Sequence, residues 1–149
     1  MQNRFAAFQG FGPSDKGPRY NPYIKPQSFI TIGSASGFIA VAAGAFGAHG
    51  LQATLTPKML DVWQTGAHYQ LVHSVVLLFV GLLGITRPEL AKPLNIIGWL
   101  FTAGIILFAG SLYALAVTDI KILGAITPLG GLAMLGGWVY LAITAGKLR

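Results

Sequence analysis

The chain has 149 residues, of which 54% are hydrophobic and 9% charged, with no cysteine and a formal net charge of +6. So apolar a composition excludes an ordinary soluble domain and points to an integral membrane protein; without cysteine there are no disulfides, thiolate metal sites or cysteine nucleophile. The positive charge does not mark a nucleic-acid surface, because the ten basic residues flank the apolar runs.

Residues 1–28 interleave Pro13, Pro18, Pro22 and Pro26 with Phe5, Phe8, Phe11, Tyr20 and Tyr23. A secretory signal has a continuous apolar core, and this stretch has none, so it reads as a mature tail; Asp15 and the prolines also argue against the long amphipathic helix of a mitochondrial presequence. The prolines favour extended or turn structure and reduce the entropy lost on ordering, and the aromatic residues are anchors of the kind that dominate interfaces. The tail is therefore expected to be a docking arm on a partner subunit, with adhesion to the membrane surface through Arg4, Lys16, Arg19 and Lys25 as the competing reading.

From residue 29 onward the chain reads as one all-α domain, 29–149, a bundle of four transmembrane helices. The first span, 29–49, is long enough to cross a bilayer. Gly33 and Gly37 form a G-x-x-x-G pair, and Ser36, Ala40, Gly44 and Ala48 repeat every four residues, so Gly33, Gly37, Ala40 and Gly44 are the expected contact face for a neighbouring helix. The second span, 57–85, opens with Thr56 as N-cap and Pro57 at the first helical position. At ~1.5 Å per residue it is about 43 Å long, more than the ~30 Å hydrocarbon core, so its first turns stand outside the lipid. It alone among the long apolar runs carries His, Gln and Asp. Steps of about 100° place Asp61, Gln64 and His68 on one side and Gly66, Gln70, His73 and Ser74 opposite. Polar groups at membrane depth need partners, so the deeper stripe is expected to face other helices, with this helix at the bundle's centre.

Arg87, Pro88, Glu89, Lys92 and Pro93 form the next turn. The third span, 94–117, is uncharged, with Trp99 and Tyr113 placed as interfacial aromatics. The fourth is expected over 127–146, with Thr127 as N-cap before Pro128 and residues 122–126 as an interfacial or re-entrant lead-in. Eight basic residues then fall on one side of the membrane and only Lys58 and Lys121 on the other, where Asp61 and Asp119 balance them. The positive-inside rule puts both termini on the cytoplasmic or matrix side.

Four motifs, GAFGAHGL at Gly44–Leu51, WQTGAHYQLVHS at Trp63–Ser74, FAGSLY at Phe108–Tyr113 and TPLGGLAMLGGW at Thr127–Trp138, are together similar to domain-of-unknown-function family 423. That family of small four-helix membrane proteins includes bacterial inner-membrane proteins, and the eukaryotic transmembrane protein 256 is similar to it. The resemblance implies the fold and assigns no catalytic residue; the long tail departs from the family's compact form.

The distal half of the bundle, opposite the tail, collects His49, His68, Gln70, His73, Ser74, Ser111, Tyr113 and Thr127. Such a cluster can be a hydrogen-bond knot, a proton path or a small polar-ligand pocket. Metal or haem is disfavoured, because His68 and His73 lie about 140° apart on an ideal helix and no carboxylate joins them within the membrane. The adjacent His73 and Ser74 diverge by about 100° and lack an orienting acid, which disfavours nucleophilic catalysis. The expected protein is thus a non-enzymatic accessory or structural subunit of a larger inner-membrane complex, respiratory or otherwise energy-converting, in a bacterial cytoplasmic or mitochondrial inner membrane. Its expected partners are the bilayer and other subunits, with lipid the only bound molecule and no cofactor or metal. The alternative is an independent proton or small-molecule channel or carrier through the polar cluster.

Overall fold

The computed structural model describes residues 25–146. Four helices follow one another: α1 Pro26–His49, α2 Pro57–Thr86, α3 Ala91–Thr118 and α4 Thr127–Ala145. All four are long and apolar enough to cross a membrane, and the described residues contain no strand. Short 3-10 turns at Pro88–Leu90 and Lys121–Ala125 precede α3 and α4. The proximal end of the bundle holds the starts of α1 and α3; the distal end holds His49, Thr56 and Asp119.

Local chemistry sets the boundaries. The Thr56 hydroxyl accepts the Met59 N–H at 3.3 Å, and Pro57 occupies the first turn of α2. Asp119 ends α3 in the left-handed region, φ 53°, while its N–H still reaches the Leu115 carbonyl, a role in which Asp is one of the few tolerated side chains. Two starts differ from expectation. α1 begins at Pro26 rather than Phe29, because the proline fits the first turn and Lys25 in extended conformation can precede it. Thr127 is not an N-cap: it is the first residue of α4, and no side chain caps that helix. Its hydroxyl reaches across to α3 instead.

Each helix packs on the next in the chain, and α1 also touches α3. α2 and α3 are the most buried spans, whereas α1 and α4 flank them. The apolar core lies toward the proximal end, where Phe29, Leu77, Val80, Leu94, Ile97 and Phe101 interlock. Glycines set how closely the helices approach. A Cβ on Gly33 would stand 2.9 Å from the Ser74 carbonyl oxygen, and one on Gly130 would run into the backbone of Phe108, so at both points backbone rests on backbone. Large apolar side chains cover the outside; Phe38 is 77% and Ile106 65% exposed, as membrane-facing residues are. In the turn between α2 and α3, the Arg87 guanidinium bonds the Glu89 carboxylate and holds its pKa below the usual value.

Candidate functional site

Gln70 lies in the middle of α2 and is buried between α1 and α3. Its Nε2 donates to the carbonyl and the hydroxyl of Ser36, each at 3.2 Å, while its Oε1 accepts a 2.8 Å bond from the Tyr113 hydroxyl. One side chain thus joins three helices. Ser74, a turn further on, stands 2.8 Å from Ser36 Oγ and 2.6 Å from the Gln70 carbonyl oxygen. A hydroxyl has one proton, so Ser74 satisfies one of these acceptors at a time and the proton of Ser36 completes the set.

His73 faces the other way. The Trp138 indole N–H on α4 donates to its Nε2 at 3.2 Å, and its Nδ1 stands 2.7 Å from the Tyr69 carbonyl oxygen. An indole N–H is only a donor and a carbonyl only an acceptor, so the two partners together select the Nδ1–H tautomer. Phe101 lies edge-on to Trp138, its centroid 5.7 Å from that of His73. A third contact joins α3 to α4, with Ser111 Oγ 2.8 Å from Thr127 Oγ1.

The expected cluster is therefore three separate groups, and two of its members belong to none of them. His49 is exposed at the end of α1; His68 is exposed on the side of α2, with its ring near Tyr69. Distal depth was the only property they shared with the rest. Tyr113, expected both as an interfacial aromatic and as a member of the cluster, donates its hydroxyl to Gln70. Among the described residues, no three His, Asp or Glu side chains gather as metal ligands would.

Sequence reasoning missed Ser36, Trp63 and Trp138. Ser36 belonged to the small-residue stripe, where it was counted for size and not for its hydroxyl. Trp63 donates its indole N–H to the Ala43 carbonyl at 2.8 Å, and Gln64, on the stripe with Asp61 and His68, donates to the Gly44 carbonyl at 3.2 Å. Gly47 makes room for that indole, since a Cβ there would lie 2.6 Å from the Trp63 ring. The four residues expected to form the face of α1 do unlike things: Gly33 meets α2 backbone, Ala40 is buried, Gly37 is in ordinary contact with Ser74, and a Cβ on Gly44 would touch nothing within 4 Å. Phe5, Phe8, Phe11, Tyr20 and Tyr23 lie outside the described residues.

The bundle leaves grooves between its helices. One, of about 300 Å³, runs between α1 and α3 with Gln70 and Ser36 in its wall; another, of about 290 Å³, is lined by Tyr69, His73, Phe108 and Trp138. The polar groups at their floors already have partners within the chain.

Four apolar helices laced by internal polar contacts define a polytopic α-helical membrane protein. The chain belongs to the family described as Protein of unknown function (DUF423), which matches residues 43–131. It is 45% identical over 119 residues to the UPF0382 membrane protein YwdK of Bacillus subtilis, covering 80% of this chain and 96% of that one. It is 44% identical over 120 residues to the UPF0382 membrane protein SSP2132 of Staphylococcus saprophyticus, covering 80% and 98%. About a fifth of the present chain lies outside these matches. No solved structure matches significantly.

Proposed function

We propose that this protein is a non-enzymatic accessory subunit that packs laterally against other proteins of an inner-membrane assembly, a respiratory or other energy-converting complex being the expected setting. The observation that carries this reading is how the polar side chains at membrane depth are used. Gln70, Ser36, Ser74 and Tyr113 bond one another, His73 bonds Trp138, and Ser111 bonds Thr127. A proton or solute path needs polar groups that exchange partners along a continuous line, and these are three local ties. Among the described residues, Lys58, Asp61, Arg87, Glu89, Lys92, Asp119 and Lys121 all lie near helix ends or in turns, which leaves no acid and base paired at mid-membrane for catalysis. What the bundle presents outward is apolar helix surface. The outer helices α1 and α4 offer the most of it, as lateral packing requires.

In this reading the Pro- and aromatic-rich residues 1–24 dock on a partner at the proximal side. The experiment is native electrophoresis of membranes solubilised in mild detergent, with mass identification of co-migrating chains. The full chain is expected in a complex of reproducible composition, and a chain lacking residues 2–24 in a depleted one. A full chain that migrates alone, or only as its own oligomer, would refute the subunit reading; full co-migration of the shortened chain would refute the docking arm.

A further inference from the structure

At the proximal end, the start of α1, the end of α2 and the start of α3 enclose a cavity of about 270 Å³. Phe29, Val80, Ile85 and Leu94 supply apolar wall, and Pro26 and Pro88 line it as well. Asn95 also lines it. The Nδ2 of that residue is buried and has no hydrogen-bond partner among the described residues, which is costly for an amide donor and unusual in a chain whose other deep polar groups are mostly paired.

The chain next to the lining residues is basic. Lys25 precedes Pro26, Arg87 precedes Pro88, and Lys92 follows the lining residue Ala91. Arg87 is paired with Glu89, which leaves Lys25 and Lys92, both exposed and without an ion pair among the described residues. An apolar slot whose lining residues adjoin two lysines in the chain, with an amide donor lacking an acceptor among the described residues, is complementary to one kind of molecule. That molecule has an anionic, acceptor-rich head and a hydrocarbon body.

We infer that this cavity binds one anionic phospholipid, whose phosphate lies between Lys25 and Lys92 and whose phosphate or ester oxygen accepts the Asn95 amide, with an acyl chain against Phe29, Val80 and Ile85. A zwitterionic lipid brings an ammonium group that the lysines disfavour. The site is independent of the subunit reading above, since it needs no protein partner.

Native mass spectrometry of the full detergent-purified chain, with equimolar phosphatidylglycerol and phosphatidylcholine added, tests the site. One phosphatidylglycerol adduct is expected, favoured at least tenfold over phosphatidylcholine. The double variant Lys25→Gln, Lys92→Gln should reduce that preference about tenfold or more, as two surface charges near a phosphate would. Asn95→Leu should weaken phosphatidylglycerol severalfold while keeping the native gel-filtration profile, because the lost amide donor has no partner among the described residues. Equal retention of the two lipids, or unchanged preference in these variants, overturns the inference. Excess inorganic phosphate should leave the adduct in place; its displacement would indicate an anion site without lipid specificity and would overturn the assignment. Deletion of residues 2–24 should also leave binding unchanged, and an adduct that appeared only after deletion would give the cavity to the chain's own N-terminal segment.

Discussion

Trp138 donates its indole N–H to His73 across 65 residues of sequence, and this is the side-chain hydrogen bond that ties α4 to α2. α4 otherwise rests mainly on α3. The imidazole is held from both sides, by Trp138 at Nε2 and by the Tyr69 carbonyl at Nδ1, so each ring nitrogen has a defined structural task. His73→Leu and Trp138→Phe should each cost about 1 kcal/mol, the scale of interhelical hydrogen bonds in membranes, and the double variant should cost little more than either. His73→Gln should retain most of the stability, because an amide oxygen can accept from the indole. Equilibrium unfolding in detergent measures all four; strict additivity of the two single losses would show that the residues are not coupled.

Gln70 serves three partners where His73 serves two, and that difference orders a second set of variants. Gln70→Leu takes the acceptor from the Tyr113 hydroxyl and two donated bonds from Ser36, whose hydroxyl keeps only Ser74, whereas Tyr113→Phe frees only one acceptor of Gln70. The expected losses are about 2 kcal/mol for Gln70→Leu and about 1 kcal/mol for Tyr113→Phe. Equal losses would mean that α1 is held by its glycine contacts and that the Ser36 bonds contribute nothing measurable.

Gly33 and Gly44 read alike in sequence and differ in space. A methyl group on Gly33 would press on the Ser74 carbonyl oxygen at 2.9 Å and on Leu77 at 3.1 Å; on Gly44 it would enter open space. Gly33→Ala should therefore destabilise by about 1–3 kcal/mol, as overpacking does. Gly44→Ala should be neutral or stabilise by up to about 1 kcal/mol through helix propensity. Thermal unfolding followed by circular dichroism compares them, and a larger loss at Gly44 would contradict the packing described.

That pair also shows how far the sequence could be read. Periodicity identifies residues that share a face of one helix, which is why the four spans and the inward turn of Gln70, His73 and Ser74 were legible. It carries no information on rotation and axial offset of the neighbour, and those decide that Ser36 meets Gln70, that Trp138 meets His73, and that His68 meets no hydrogen-bond partner among the described residues. α1 starts three residues before the expected Phe29 for a local reason: Pro26 continues the run of prolines in the tail, yet a proline is as much at home in a helix's first turn. Thr127 departs from the expected cap because it is the first residue of α4 itself, and its hydroxyl pairs with Ser111 on α3, a helix the sequence could not position.

Two buried threonines supply a matched comparison. Thr102 donates to the Gly98 carbonyl at 2.7 Å, whereas the Thr144 hydroxyl is buried with no partner among the described residues. Valine has nearly the same shape as threonine, so the substitution chiefly removes the hydroxyl. Thr144→Val should stabilise the bundle by up to about 1 kcal/mol, because an unpaired polar group leaves the core. Thr102→Val should be neutral or mildly destabilising. The reverse order in thermal unfolding would mean that the Thr144 hydroxyl has a bonding partner.

The expected orientation of the bundle rests on charge alone. Eight basic residues stand before α1, about the junction of α2 and α3, or after α4, against two at the opposite ends, Lys58 in the first turn of α2 and Lys121 before α4, where Asp61 and Asp119 offset them. Basic residues near short loops resist translocation, so the junction of α2 and α3, with Arg87 and Lys92, is expected on the cytoplasmic or matrix side and the loop after His49 in the opposite compartment. The native chain has no cysteine, which makes the assignment directly measurable. Gln52→Cys and Glu89→Cys both lie at exposed positions in turns between spans, one on each side of the membrane. A membrane-impermeant maleimide added to intact cells should label Gln52→Cys at once and Glu89→Cys only after lysis. Labelling in the opposite order would invert the topology and move the proposed lipid site to the outer leaflet. Equal labelling of both before lysis would mean insertion in both directions, and an eight-to-two charge bias would then be too weak to orient a bundle of this length.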